Sequence, residues 1–171
     1  MIHVCSLSRM HDVVETTGAE HVVTLIRDTT RVTRPKHIRE ENHLILSIDD
    51  IEDELDGMIA PAETHVAELL DFVERWKREK PIVVHCFAGI SRSTAAAFIA
   101  ACAIRPERDE AEIARAIRDA SVTAQPNPRI VSFGDKLLGR QGRMVEAVRA
   151  IGKGSFGSTW IEEAEPFVLK I

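Results

Sequence analysis

The loop formed by residues 85–93 constrains the fold of this chain more than any other feature, because it joins two segments of opposite character. The run before it, Pro-Ile-Val-Val at 81–84, is short and β-branched, as is typical of a buried strand. The segment after it, 95–103, is rich in alanine and favours a helix. Gly89 supplies the backbone freedom that a tight loop requires. The sequence therefore predicts a strand, a loop and a helix N-terminus in direct succession.

A loop of this kind binds anions, because its backbone N–H groups converge and the following helix adds its positive end. Cys86 is predicted at the floor of the loop, where such surroundings favour the reactive thiolate. Arg92 can hold two oxygens of a phosphate at once. We expect Ser93 to hydrogen-bond the Cys86 sulfur and His85 to brace the loop. The predicted phosphate-binding residues are Phe87, Ala88, Gly89, Ile90, Ser91 and Arg92.

These residues match the His-Cys-x5-Arg-Ser/Thr signature and resemble the cysteine-dependent protein tyrosine phosphatases. The sequence Ala-Gly-Ile-Ser-Arg-Ser at 88–93 is most similar to the dual-specificity branch, in a small bacterial-type form. The resemblance implies hydrolysis of phosphomonoesters through a cysteinyl-phosphate intermediate, without a cofactor or metal. It also implies a phosphorylated protein or another phosphomonoester as substrate.

The resemblance further implies an aspartate, upstream of the cysteine, that protonates the leaving oxygen. An acidic cluster at 49–56 follows the apolar run 44–48, which is predicted to be a strand. Asp50 matches the family position best, and Asp49 and Asp53 are the alternatives. Most of the other acids in this cluster are expected to be solvated.

A Pro-Asn-Pro segment at 126–128 resembles a family segment whose asparagine supports the phosphate loop. Asn127 is therefore a candidate supporting residue. An asparagine followed by a proline is also an ordinary helix start, because asparagine caps helices and proline is favoured at the first helical position. Both interpretations of Asn127 remain open at this point.

The coarse pattern along the chain predicts an α/β fold: a central mixed, largely parallel sheet flanked by helices, with a helical second half, as in dual-specificity phosphatases. We expect one phosphatase domain over 1–171, with 139–171 as a C-terminal extension packed on the body through Trp160, Ile161 and residues 166–169. The predicted strands are 2–7, 21–26, 43–48 and 82–85. The predicted helices are 8–17, a longer helix from Pro61, 95–103, 107–120, 130–138 and 144–151.

Composition excludes several classes of protein. A net charge of −5 gives no reason to expect nucleic acid. No apolar stretch reaches the roughly 18–20 residues of a membrane span, and no leader pattern is visible at the N-terminus. Three cysteines without paired spacing argue against a disulfide framework and favour a cytoplasmic location. We expect a monomer or weak homodimer.

Other functions use a similar loop and stay open. A binding module could keep the loop without the reaction. Arsenate reduction or sulfur transfer also uses a cysteine in an anion loop, and arsenate reduction needs a second cysteine nearby, for which Cys5 and Cys102 are the candidates. The glycines at 152–157 superficially resemble a kinase loop, but the rest of a kinase sequence is missing, so they predict a turn. The chain has no tyrosine, so it lacks the tyrosine with which the large tyrosine phosphatases recognise phosphotyrosine, and the resemblance implies a shallower pocket. The loop interior 87–91 has no lysine, unlike the loops of phosphoinositide phosphatases, which disfavours phosphoinositides as substrates.

Overall fold

The computed structural model describes residues 1–155 and 163–171, which form five strands and six α-helices. The strands are β1 (Ile2–Cys5), β2 (His21–Leu25), β3 (His43–Leu46), β4 (Ile82–His85) and β5 (Phe167–Leu169). The helices are α1 (Met10–Thr17), α2 (Glu63–Arg75), α3 (Arg92–Ile104), α4 (Glu110–Ala120), α5 (Pro128–Leu137) and α6 (Arg143–Ile151), with a short 3-10 helix at Glu40–Asn42.

The five strands form one mixed sheet in the order β3-β2-β4-β1-β5. β1, β2, β3 and β4 are parallel, and only β5 runs antiparallel, along β1. The prediction of a mixed, largely parallel sheet is therefore confirmed. Because the four parallel strands end at the same edge, the loops that follow them meet there, and this edge is where α/β folds place their ligands.

The two faces of the sheet carry separate hydrophobic clusters. The smaller one lies between the sheet and α1, and the larger one lies under the other helices. α3 is the centre of the larger cluster and is buried from Arg92 to Cys102. Its alanines allow close approach by neighbours: at Gly134 of α5 a Cβ atom would lie 2.5 Å from Ile99 Cγ1. The helical second half thus packs tightly against the helix that carries the loop.

Some strands and helices begin or end at other residues than predicted, because residues near their ends form other hydrogen bonds. β1 ends at Cys5 rather than at residue 7, because the Leu7 N–H donates to the Phe87 carbonyl at 3.1 Å. α4 begins at Glu110 rather than at residue 107, because the Asp109 carboxylate accepts from the N–H groups of Ala111 and Glu112 and caps the helix. β3 ends at Leu46, two residues before the predicted end.

The C-terminal extension contributes α6 and then β5, which pairs with β1 through Val4 and Phe167. Phe167 and Leu169 are buried. Trp160 and Ile161, which the sequence predicts to pack on the body, lie outside the described residues. In the described part of the glycine-rich stretch, Gly152 has φ of 68°, and the Gly154 N–H donates to the Gln125 side chain at 3.3 Å. None of the helices among the described residues has the length and apolar character needed to cross a membrane.

Candidate active site

The loop of residues 86–91 lies at the edge of the sheet where the parallel strands end, between β4 and α3. Four of its carbonyls accept main-chain hydrogen bonds from other parts of the chain. The Phe87 and Ile90 carbonyls accept from Leu7 at 3.1 Å and Gln125 at 2.9 Å. The Ser91 carbonyl accepts from Asn127 at 3.3 Å, and the Ala88 carbonyl accepts from Ala164 at 2.8 Å.

These outward carbonyls determine where the N–H groups of the loop point. In a planar trans peptide the N–H is directed opposite to the carbonyl. A loop whose carbonyls bond to the surrounding protein therefore turns the N–H groups of the next residues inward. This is the arrangement that binds a phosphate-sized anion.

Cys86 lies at the floor of the loop and is 1% exposed. Its Sγ atom lies 3.2 Å from the hydroxyl oxygen of Ser93. Ser93 lies in the first turn of α3 and is the hydrogen-bond partner that the sequence predicts for this sulfur. The structure thus brings the predicted nucleophile and its predicted hydrogen-bond partner together.

Arg92 is almost fully buried, with its guanidinium directed under the loop that follows β3. One terminal nitrogen donates to the Ile48 carbonyl at 2.9 Å, and Nε lies 3.9 Å from an Asp50 carboxylate oxygen. Across residues 1–155 and 163–171, no group accepts a hydrogen bond from this Nε. The guanidinium is therefore held between the loop that follows β3 and the Asp50 carboxylate, with its Nε atom buried.

Asp50 reaches the phosphate loop directly. Its Oδ1 accepts from the Ser91 hydroxyl at 2.7 Å and from the Asn127 amide at 2.9 Å, while Oδ2 faces Arg92. The side chain is 36% exposed, which leaves it open to a substrate. Of the three candidate acids, Asp50 is the one that the described contacts connect to the loop.

The two alternative aspartates lie in different surroundings. The Asp49 carboxylate accepts from the Ile59 N–H at 2.7 Å and lies 3.4 Å from Arg27, so it holds together the loop that follows β3. Asp53 is exposed to solvent.

The Asn127 side chain makes contacts in two directions. Its side-chain oxygen accepts from the Ile130 N–H at 3.1 Å and caps α5, while its amide nitrogen donates to Asp50. One side chain thus links the start of α5 to the acidic loop.

His85 is fully buried behind the loop and belongs to a chain of hydrogen bonds. Thr24 Oγ1 lies 2.7 Å from His85 Nε2 and 2.8 Å from His43 Nε2. Burial lowers the pKa of His85 to about 4, and burial together with the charge of Arg34 lowers the pKa of His43 to about 4. Both imidazoles are therefore neutral near pH 7. The single hydroxyl hydrogen of Thr24 can serve only one of them, so the other must donate its Nε2–H to Thr24.

Neither remaining cysteine is arranged to pair with Cys86. Cys5 is in register with His85, but its side chain belongs to the hydrophobic cluster on the α1 side of the sheet, while Cys86 belongs to the cluster on the other side. Cys102 lies ten residues beyond Arg92 on α3, about 15 Å along the helix axis. Burial raises the pKa of both Cys5 and Cys102 to about 12.

Arg129, which ties the acidic loop to α5, belongs to no recognisable sequence motif. Its Nε donates to the Pro61 carbonyl at 2.6 Å and a terminal nitrogen donates to the Glu52 carbonyl at 2.9 Å. No sequence pattern marks Thr24 and His43 either, because they lie on two different strands and have no characteristic spacing. Within the described ranges, no cluster of His, Cys, Asp or Glu side chains has the arrangement of a metal site.

Residues 55–123, which include the whole loop, match the protein-tyrosine phosphatase family model. The matched stretch contains β4, the loop and α3, so this part of the chain is similar to the protein-tyrosine phosphatases. No curated protein sequence matches the chain significantly.

Several solved structures of dual-specificity phosphatases and related proteins share the fold at low sequence identity. The Yvh1 phosphatase domain from Chaetomium thermophilum is 18% identical with a TM-score of 0.64, over 84% of this chain and 93% of that one. Human DUSP28 is 19% identical with a TM-score of 0.62, over 87% of this chain and 94% of that one. The human tyrosine phosphatase-like serine/threonine/tyrosine-interacting protein is 16% identical with a TM-score of 0.62, over 82% of this chain and 92% of that one.

Proposed function

We propose that this protein is an active phosphatase that hydrolyses phosphomonoesters on proteins through a cysteinyl-phosphate intermediate. The observation that carries the proposal is the convergence of four groups on one loop. Cys86 lies at the floor beside Ser93, and the Arg92 guanidinium lies 3.9 Å from the Asp50 carboxylate. Nucleophile, clamp and acid thus lie around one loop, and together they are the set that phosphoryl transfer requires.

In the first step the Cys86 thiolate attacks phosphorus, and the bond from phosphorus to the leaving oxygen breaks. Arg92 and the loop N–H groups hold the three equatorial oxygens, and the Asp50 carboxyl gives its proton to the leaving oxygen. In the second step a water molecule attacks phosphorus, its proton passes to the Asp50 carboxylate, and the sulfur–phosphorus bond breaks. Ser93 donates to the departing thiolate and stabilises it.

The surface around the loop supports a protein substrate with an accessible phosphate. Phe87, at the outer side of the loop, is 60% exposed, so its ring is free to contact the chain that carries the phosphate. The loop interior has no lysine that would match the additional phosphates of an inositol lipid. We expect hydrolysis of both phosphotyrosine and phosphoserine or phosphothreonine peptides. A thiol nucleophile requires a reducing compartment, which supports a cytoplasmic location.

The test is single-turnover hydrolysis of p-nitrophenyl phosphate by the wild type and by Cys86→Ser, with chelator present. A nitrophenolate burst in the wild type alone, with stoichiometric phosphate on Cys86 in acid-quenched protein by mass spectrometry, is the expected result. Ser93→Ala is the matched control, because it removes only the hydroxyl beside the sulfur. It should retain the burst and slow the second step.

A phosphate-binding module without catalysis is the alternative, and the same experiment separates it. Such a module would bind a phosphopeptide in both the wild type and Cys86→Ser but would give no burst from any phosphomonoester. That result would contradict the proposed phosphatase activity while leaving the anion loop intact.

A further inference from the structure

The Ala88–Gly89 peptide group is held by a part of the chain that lies far from the phosphatase signature. Its carbonyl accepts from the Ala164 N–H at 2.8 Å. The other three outward carbonyls are held by residues before α1 or before α5. The C-terminal extension therefore completes the set of contacts that surround the phosphate loop.

The orientation of this peptide group also depends on an external hydrogen-bond partner, because a glycine follows the carbonyl. Gly89 has φ of 75°, and glycine permits a peptide to flip at little cost. On its other side Gly89 packs against β1, where a Cβ atom would lie 2.8 Å from the Cys5 carbonyl carbon. Since the Gly89 N–H points opposite to the Ala88 carbonyl, the Ala164 bond keeps this N–H directed into the anion site.

Glu163 anchors the segment beside Ala164. Its carboxylate accepts from the Ser8 hydroxyl at 2.6 Å, and the Ser8 hydroxyl lies 3.1 Å from that of Ser6, which is fully buried. Hydrogen bonds from Ser8 and Ser6 lower the pKa of Glu163, so the anchor is ionised at neutral pH. The turn after β1 thus holds both the loop, through Leu7, and the C-terminal segment.

β5 fixes the segment from its other end. Phe167 and Leu169 are in register with Val4 and Ile2 of β1, and both side chains are buried. Ala164 is itself 3% exposed and is therefore confined between two anchors, Glu163 before it and β5 after it.

We infer that Glu163 and Ala164, held by β5, form a C-terminal brace that positions the phosphate loop for anion binding. The inference rests on the proposed function. Ala164 acts through the Gly89 N–H, and Glu163 acts by holding Ala164 in place. Both are positioning residues, since neither reaches the substrate.

The test is a double-mutant cycle with Ser8→Ala and Glu163→Ala. Inorganic phosphate binding is measured calorimetrically in the Cys86→Ser background, and kcat/KM for p-nitrophenyl phosphate in the active protein. Loss of one hydrogen bond predicts about a threefold to tenfold loss in phosphate affinity and in kcat/KM for each single variant. The double variant should lose no more than either single one, because both changes break the same contact.

Two further variants make the result specific. Ala164→Pro removes the N–H that bonds Ala88 and should reduce phosphate affinity at least as much. Glu165→Ala is the matched control: it lies in the same segment, its side chain is 91% exposed, and among residues 1–155 and 163–171 its one ion pair is with Arg9 at 3.6 Å. It should change neither quantity. If Ala164→Pro does not fold, the cycle at Ser8 and Glu163 decides alone.

Urea unfolding of every variant separates positioning from simple stabilisation. Variants that unfold at lower urea but bind phosphate as the wild type does would overturn the brace. Additive losses in the double variant would overturn it as well. A wild type that neither binds phosphate nor hydrolyses the ester would instead refute the proposed function, and the brace with it.

Discussion

Replacing Asp50 by Asn should remove the acid while leaving the site assembled. The Asn side-chain oxygen can still accept from Ser91 and Asn127, which lie 2.7 and 2.9 Å from Asp50 Oδ1. What disappears is the proton for the leaving oxygen. Loss of a general acid lowers the rate by about 10² to 10⁴. At 1.36 kcal/mol for each factor of ten, this corresponds to about 2.7–5.4 kcal/mol of transition-state stabilisation.

The size of the loss should depend on the leaving group. Phenolate is a poorer leaving group than nitrophenolate and needs the proton more. We expect kcat for phenyl phosphate to fall by the full amount in Asp50→Asn and kcat for p-nitrophenyl phosphate to fall much less. The pH profile of kcat should also lose its alkaline limb, because no group is left to deprotonate.

Asp49→Asn and Asp53→Asn are the matched controls. Asp49 is occupied by the Ile59 N–H at 2.7 Å and by Arg27 at 3.4 Å, so its replacement should lower stability rather than the chemical rate. Asp53 is exposed, and its replacement should change neither. If Asp50→Asn hydrolyses phenyl phosphate within twofold of the wild-type rate, with the alkaline limb intact, the assignment of Asp50 as the general acid is wrong. The acid is then Asp49 or Asp53, whichever residue's replacement causes the loss.

Three further changes test the loop glycine, a buried ion pair and the hydroxyl behind the loop. Gly89→Ala should abolish phosphate binding in titration calorimetry, because φ of 75° is strained for alanine and its Cβ would lie 2.8 Å from the Cys5 backbone; unchanged affinity would contradict the loop geometry. Arg140 forms a buried ion pair with Glu110, with 3.0 Å between a guanidinium nitrogen and a carboxylate oxygen. Glu110→Gln should destabilise the fold by about 3–5 kcal/mol at pH 7 in urea unfolding, since it leaves Arg140 with a buried, unpaired charge. Burial alone would raise the pKa of Glu110, but its arginine partners hold the pKa below the ordinary value of 4.5. The stability that the ionised carboxylate contributes is therefore present above pH 4.5 and is lost below it. The unfolding free energies of the wild type and Glu110→Gln should converge in acid. Thr24→Val should cost about 1–3 kcal/mol by leaving buried imidazole nitrogens unpaired, and a variant as stable as the wild type would show that the hydroxyl is dispensable.

The sequence predicts the parallel part of the fold because those signals are local. Each parallel strand is a short apolar run, and Gly18 ends α1 with φ of 65°, as expected for a helix C-terminus. The signature carries Cys86, Arg92 and Ser93 on a single strand, loop and helix, so their proximity can be predicted from local sequence.

The remaining features depend on contacts between distant segments. Residues 167–169 are only a short apolar run, and nothing local indicates that they pair with β1 rather than cover a surface. The choice among the acidic residues is similar, because Asp49 and Asp50 are adjacent and chemically equal. Asn127 and Ser91 distinguish them, and both lie far along the chain from the acidic loop.

The outward carbonyls of the phosphate loop also bear on how the protein folds. Their partners come from the first turn of the chain, from the segment before α5 and from the last strand region. Contacts between such distant segments form late in folding, because bringing the segments together costs conformational entropy before any hydrogen bond forms. The loop therefore gains its final shape only after the rest of the chain is in place. In a gradient of mild denaturant, anion binding should vanish before the helices melt, and amides of the loop should exchange with solvent through openings smaller than global unfolding.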